Sequence, residues 1–196
     1  MSVITTNIMH ATTREINLFT KHTLDLKSYL EFGCGGSTFN MFYLTEANVI
    51  SVESDFNFAR QLLNNLMIFG NRLNIFHVNI GAAKEWGVPV DDSSKASFSS
   101  YSSAIFNAIN SGGGGEIDTI FVDGRFRVAC ALKSIKHYPN SKIIIHDFFD
   151  RLEIYGCLLE FLECIDRVDT LGIFFVKDCK KEKLEKYYEE YKYDFR

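Results

Sequence analysis

The chain has 196 residues, 46% hydrophobic and 23% charged, with a formal net charge of −4. That fits one well-buried soluble core rather than a disordered chain, and the acidic balance argues against nucleic-acid binding through a basic surface. No apolar run reaches bilayer length and no basic-then-apolar leader opens the chain, so we expect neither a membrane span nor export.

The five cysteines (Cys34, Cys130, Cys157, Cys164 and Cys179) are scattered without metal-type spacing. They predict reduced thiols in a cytoplasmic protein, most of them filling the core. No internal repeat or linker divides residues 1–196, so a single domain is expected, with an N-terminal helical segment (1–27) and a terminal tail (180–196).

Thr12 to about Lys27 predicts a helix with Ile16, Phe19 and Leu24 inward and Thr12 or Thr13 as its cap. It either closes over a ligand or packs on the sheet edge. Ser28–Phe32 reads as the first strand, Gly33–Gly36 as a turn, and Ser37 or Thr38 as the cap of a helix through Leu44. Asn48–Val52 is the second strand. Asp55 caps a helix with Phe58, Leu62, Leu63 and Leu66 on one face, ending at Gly70, and Leu73–Val78 is the third strand. Alternating strands and helices specify a parallel sheet covered on both faces.

From Asn79 to Ser111 the pattern breaks into a long loop with a short helix, Tyr101–Ile109. Loops of that length are usually functional or disordered. Trp86, Phe98 and Tyr101 offer an aromatic platform for a ring-shaped substrate or, alternatively, anchors to the core. Gly112–Gly115 reads as a flexible hinge. Ile117–Val122 is the fourth strand, followed by Asp123-Gly124 and a helix beginning at Arg125 and Arg127. Lys142–Ile145 is the fifth strand, ending in His146-Asp147. Asp150 and Glu153 suggest a capping box for a further helix carrying Ile154, Leu158, Phe161 and Ile165. Arg167–Asp178 reads as two strands joined at Leu171-Gly172. A solvated tail helix then carries Tyr187, Tyr188, Tyr191 and Tyr193, a surface for homo-oligomer formation.

The stretch Tyr29–Glu53 organises the rest. Gly33 and Gly35 let the backbone approach a ligand closely, and the helix that follows points free N–H groups at it. A dinucleotide site needs a third glycine where this chain has Thr38, and Glu31 before the turn would repel pyrophosphate but pair with an ammonium group. Glu53, 20 residues past Gly33, is placed to accept hydrogen bonds from ribose hydroxyls. The string Glu-x-Gly-x-Gly-x-Ser (Glu31 to Ser37), with its strand and acid, resembles the class I S-adenosylmethionine-dependent methyltransferases.

The resemblance spans Tyr29 to about Val176. It implies an α/β, doubly wound, mostly parallel Rossmann-like methyltransferase sheet with a C-terminal antiparallel strand. It also implies a cofactor site of Glu31, Gly33, Gly35, Ser37, Thr38, Glu53, Asn79, Ile80, Gly81 and Asp123. Asn79 is equally readable as a turn residue capping the third strand.

Polar groups beyond strands four and five face the ligand in such sheets. A histidine there suits a general base, so His146, Asp147 and Asp123 are the catalytic candidates. The placement resembles the catechol-type O-methyltransferases, which implies a divalent cation held by Asp123 and Asp147; His146 stands where that pattern has a further acid. Arg125 and Arg127 would grip a carboxylate, a phosphate or sugar hydroxyls, with Trp86 and Tyr101 completing the acceptor pocket. A salt bridge to Asp123 or Asp147 is the competing reading of the arginines.

The run Val122–Cys130 and the earlier Gly81–Pro89 look like small polysaccharide-modifying methyltransferases, and the Leu30–Thr38 start is similar to the glucuronoxylan O-methyltransferases. Methyl transfer to a sugar or glycan hydroxyl is therefore the leading expectation. Transfer to a small phenolic or metabolite acceptor, a nicotinamide-dependent oxidoreductase, or a binding protein with a retired site are the alternatives.

Overall fold

A computed structural model describes residues 9–66 and 72–196. The expected end of the third helix at Gly70 lies outside the described residues. Five parallel strands and a C-terminal antiparallel pair form one seven-stranded sheet in the order β3-β2-β1-β4-β5-β7-β6. The strands are β1 Ser28–Phe32, β2 Asn48–Glu53, β3 Leu73–His77, β4 Thr119–Val122, β5 Lys142–Ile145, β6 Leu162–Val168 and β7 Leu171–Val176. This is the mostly parallel Rossmann-like methyltransferase sheet expected, with β7 antiparallel between β5 and β6.

The central strands read as nearly continuous apolar runs because both faces are covered. On one face Leu30, Phe32, Ile120, Val122, Ile143 and Ile145 meet α4 (Lys95–Ser111), α5 (Arg127–His137) and α7 (Lys181–Tyr191). On the other, Tyr29, Val49, Phe121, Ile144 and Ile173 meet α1 (Thr13–Thr23), α2 (Gly36–Leu44) and α3 (Phe56–Leu66). The register Phe32↔Val122↔Ile145 brings the carboxyl ends of β1, β4 and β5 level, so the turns after them share one rim.

Several local expectations need correction. α4 begins at Lys95, six residues before the expected Tyr101, and buries Phe98, Tyr101, Ser102, Ile105 and Phe106. Its serines are compatible with helix once the aromatic face is buried. The glycine run begins as the helix terminus, where Gly112 and Gly114 donate back to carbonyls of the last turn.

The segment after β5 is a chain of short turns rather than one helix: a 3₁₀ turn at Phe149–Arg151, α6 at Leu152–Tyr155, and another 3₁₀ turn at Gly156–Glu160. Neither Asp150 nor Glu153 forms the expected capping box. The hairpin turn falls at Asp169-Thr170, with Asp169 left-handed at φ 47°, not at Leu171-Gly172.

The terminal helix is solvated on one face and buried on the other. α7 lies against α5, with Leu184 and Tyr188 buried and the Lys133 ammonium 3.6 Å from the Tyr188 ring centroid. Tyr187 and Tyr191 are half-buried against the same core, and Tyr193 stays exposed.

α1 packs across one face of the sheet toward β6 and α2, with Phe19 against the rings of Tyr29 and Phe121, while Met9 and His10 just before it line the cavity. Its N-terminus is held by Glu15. One carboxylate oxygen accepts from the Thr12 N–H at 2.8 Å, and the other accepts from the backbone and hydroxyl of Thr170 at 2.9 and 2.6 Å. Burial opposes that charge, but these donors outweigh it and hold the carboxyl at about 2.

A depressed carboxylate stabilises the fold above its unfolded value of 4.5 and loses that contribution as pH falls toward 2. Glu15→Gln is expected to lower unfolding free energy by about 2 kcal/mol near neutrality. In urea titrations, the gap to wild type should shrink between pH 4.5 and 2; a gap constant with pH would contradict the assignment.

Candidate active site

The turns after β1, β2, β4 and β5 enclose a cavity of about 740 Å³, within the usual range for small-molecule sites. Its floor is a contact between two glycines. Gly33 is left-handed at φ 91°, and a β-carbon there would sit 2.7 Å from the Cα and N of Gly124. The Gly33 N–H donates to the Val52 carbonyl, tying the first turn to β2 as well.

Gly35 differs. Its φ of 168° suits any residue, yet a β-carbon would meet no atom within 4 Å, because that side faces the cavity. The first N–H groups of α2 have no intrahelical acceptor and supply positive potential beside that open space.

Glu31 does not face this space. It is fully buried and accepts from Tyr29 at 3.1 Å, from Ser37 and Ser51 at 2.8 Å each, and from the Thr38 hydroxyl. Burial raises its carboxyl to about 7, against the pull of these four hydroxyls. Glu31 therefore pins α2 to β1 and β2, and the expected pairing with a cofactor ammonium is corrected. Thr38, also fully buried, is its partner and accepts from the Gly35 N–H at 2.9 Å. Ser37 stays at the cavity wall. The case against pyrophosphate consequently no longer rests on the charge of Glu31.

Glu53 lines the cavity as expected. One oxygen accepts from the Cys34 N–H at 3.2 Å and the other from the N–H groups of Ser54 and Asp55 at 2.7 and 2.9 Å. Asn79, Ile80 and Gly81 fall outside the cavity. Asn79 accepts from the Gly81 N–H in a local turn, Ile80 is core, and a β-carbon on Gly81 would overlap Ser94. That wall is made instead by Ser54, Asp55, Phe58 and Lys84–Gly87.

Asp123 and His146 meet at the other wall. His146 Nδ1 lies 2.9 Å from an Asp123 oxygen, while Nε2 is 3.8 Å from Glu15, beyond hydrogen-bond reach. Burial works against the imidazolium, but the Asp123 hydrogen bond and the charges of Asp123 and Asp147 outweigh it, so His146 titrates above its ordinary value. Burial likewise opposes the Asp123 charge, yet His146 and Arg127 hold its carboxyl below the usual range.

Arg127, at 3% exposure, is saturated. It donates to the Gly124 carbonyl at 3.0 Å, the His146 carbonyl at 2.7 Å and Asp147 at 3.0 Å, and lies 3.2 Å from Asp123. It is a bridge between the two aspartates, not a group free to grip substrate. Asp147, left-handed at φ 56°, also accepts from Arg151 at 3.2 Å. Arg151 and Glu15 were missed in the sequence. The Asp147–Arg151 spacing of four and the Thr12-x-x-Glu15 capping box were the available signals.

Asp123, His146 and Asp147 present ligand atoms within 4.8 Å of one another, the geometry asked of a cation site. The charge balance does not fit. The two carboxylates already share the buried Arg127 guanidinium, which would repel a divalent ion placed between them.

At the rim, Trp86 is 71% exposed and left-handed at φ 62°, and its ring lies 5.3 Å from that of His10. It is not a core anchor. Phe98 and Tyr101 are, at 0% and 1% exposure; the Tyr101 hydroxyl lies under Gly124 and reaches the Val52 carbonyl at 3.5 Å. Of the three expected rings, Trp86 stands at the rim, Tyr101 contributes to the cavity wall despite its burial, and Phe98 lies in the core.

No protein-family model and no curated protein sequence matches the chain. Solved structures do. A methyltransferase-like protein from Silicibacter pomeroyi is similar at TM-score 0.84 and 26% identity, over 95% of this chain and 97% of that one. An S-adenosylhomocysteine-bound methyltransferase from Podospora anserina is similar at TM-score 0.58 and 15% identity, over 86% and 80%. An O-methyltransferase from Bacillus cereus in complex with S-adenosylhomocysteine is similar at 0.56 and 12%, over 85% and 82%. The chain has the class I methyltransferase fold.

Two glycine substitutions separate folding from binding. Gly33→Ala is expected to destabilise by about 2 kcal/mol or more through its left-handed φ and its overlap with Gly124. Gly35→Leu should melt within a few degrees of wild type yet lose S-adenosylhomocysteine binding at least tenfold in calorimetry, since its side chain would enter the cavity. Retained affinity in Gly35→Leu would remove the turn from the site.

Proposed function

We propose that the protein is an S-adenosylmethionine-dependent O-methyltransferase acting on a hydroxyl of a small-molecule acceptor, with His146 as general base. The observation that carries this reading is the Asp123–His146 pair at one end of the cavity that begins at the glycine turn. The open face of Gly35, the free N–H groups of α2 and the Glu53 carboxylate fit the cofactor's amino-acid and ribose parts. S-Adenosylmethionine, when bound, supplies a methyl group on a cationic sulfur that departs as a neutral thioether.

The chain's own residues supply position and a proton acceptor. Asp123 accepts a hydrogen bond from Nδ1–H of His146, which leaves the Nε2 lone pair to take the acceptor hydroxyl's proton as the oxygen–carbon bond forms. Arg127 and Arg151 hold Asp147 as a charge partner, so Asp147 supports the site rather than competing as base.

A small acceptor suits a cavity of about 740 Å³ better than a glycan chain. The fold comparisons favour methyl transfer over nicotinamide chemistry. We read residues 1–196 as one catalytic unit, and its five free cysteines suit a reducing cytoplasm.

His146→Ala is expected to lower kcat by 10²–10⁴-fold, with S-adenosylhomocysteine affinity unchanged within about threefold. Intact turnover would sink the base assignment. Because the neutral imidazole is the active form and its pKa is raised, kcat should climb as pH rises through a value above 6.5. Asp123→Asn should lower kcat and move that acid limb to lower pH, a shift that loss of structure alone would not produce.

We further propose that transfer is metal-independent, since Arg127 already serves both carboxylates. Extended dialysis against EDTA should leave kcat unchanged. Recovery of lost activity by Mg²⁺ would overturn this.

A further inference from the structure

Three arginines stand where β4 and β5 open into the cavity, and two are satisfied. Arg127 has its carboxylates and carbonyls, and Arg151 donates to Asp147 and, at 3.3 Å, to the Tyr155 hydroxyl. Arg125 is different. Its Nε is buried without a hydrogen-bond partner, and no Asp or Glu among the described residues forms an ion pair with it. Yet it lines the same cavity as the glycine turn, beneath Gly87.

Burial, and then the charges of Arg127 and Arg151, press its guanidinium below the ordinary arginine value. Asp123 and Asp147 are taken up by Arg127 and Arg151, which leaves Arg125 without a carboxylate partner among the described residues. A partly buried guanidinium with an idle donor is costly unless something fills it. The matching partner is a planar carboxylate or a phosphate, which an arginine can hold through paired hydrogen bonds.

The cofactor's own carboxylate is one source of such a group, but α2 offers it free N–H groups at the glycine turn. The charges that bear most on Arg125 are those of Arg127 and Arg151, and its Cγ lies under Gly87, which also neighbours Ser54. We propose that Arg125, backed by Arg151, binds an anionic group on the acceptor, so that the substrate is a hydroxylated carboxylate or phosphate ester rather than a neutral alcohol. This rests on the methyltransferase reading above.

The test is calorimetry at fixed ionic strength on wild type, Arg125→Met and Arg125→Lys. S-Adenosylhomocysteine and 5′-methylthioadenosine, which lacks the amino-acid part, are titrated first. The protein loaded with S-adenosylhomocysteine is then titrated with inorganic phosphate and with matched pairs: 4-hydroxybenzoate against 4-hydroxybenzyl alcohol, and glucuronate against glucose.

We expect phosphate or an anionic member to bind at least tenfold more tightly than the neutral ones. Arg125→Met should erase that preference, Arg125→Lys should keep part of it, and all three proteins should bind both nucleosides alike. The proposal is overturned if no anion binds, if Arg125→Met keeps the preference, or if Arg125→Met weakens S-adenosylhomocysteine but not methylthioadenosine. The last result would give the arginine to the cofactor. Failure of wild type to bind either nucleoside would overturn the methyltransferase reading itself, and this inference with it.

Discussion

The site depends on one guanidinium. Arg127 sits at the first turn of α5 and reaches across to the ends of β4 and β5, where it meets two carboxylates and two backbone carbonyls. Without it, Asp123 and Asp147 would be like charges in a partly desolvated corner. Loss of one partner from such a buried arrangement typically costs about 3–5 kcal/mol. Arg127 is also why His146 has a fixed place. It holds the His146 carbonyl while Asp123, itself held, receives the imidazole N–H.

That arrangement requires unusual backbone. Phe126, just before α5, is left-handed at φ 56°, as are Asp147 and Trp86. Among the described residues four non-glycines have positive φ: Trp86 and Asp147 line the cavity, Phe126 lies buried behind Arg125 and Arg127, and Asp169 makes the hairpin turn. Each such residue is costly in isolation and persists where its surroundings over-determine it. For Phe126 those surroundings include a fully buried ring against Phe98 and Tyr101, and an N–H donated to the Phe195 carbonyl at 3.4 Å. The terminal segment thus reaches the loop that carries Asp123.

The sheet was legible from sequence where strands are covered on both sides, since β4 and β5 are apolar runs ending in polar residues and β1 is broken only by Glu31 before its glycine turn. β6 was not, because an edge strand carrying Glu163, Asp166 and Arg167 has little hydrophobic pattern. α4 was half legible, its serine-rich start reading as loop until Phe98 is seen to be buried. Within the site, identity was readable but orientation was not. Glu31 and Arg127 stand at the expected places in the chain, yet both point into the protein, and spacing along a strand or helix does not say which partners claim a side chain first. Arg125 and Arg127, two apart at the head of a helix, looked like a pair, yet Arg127 is tied to two carboxylates and Arg125 to neither.

Gly33 and Gly124 press their backbones together with no room for a side chain on either. The glycine turn after β1 and the turn that carries Asp123 are thereby a single mechanical part, so that a shift in one moves the other. Variation that retunes the acceptor must come from elsewhere on the rim: the Lys84–Gly87 loop, Arg125, and the broken turns from Asp147 to Tyr155. A lineage built on this scaffold would be expected to keep its glycine contact and diversify its chemistry through those three stretches.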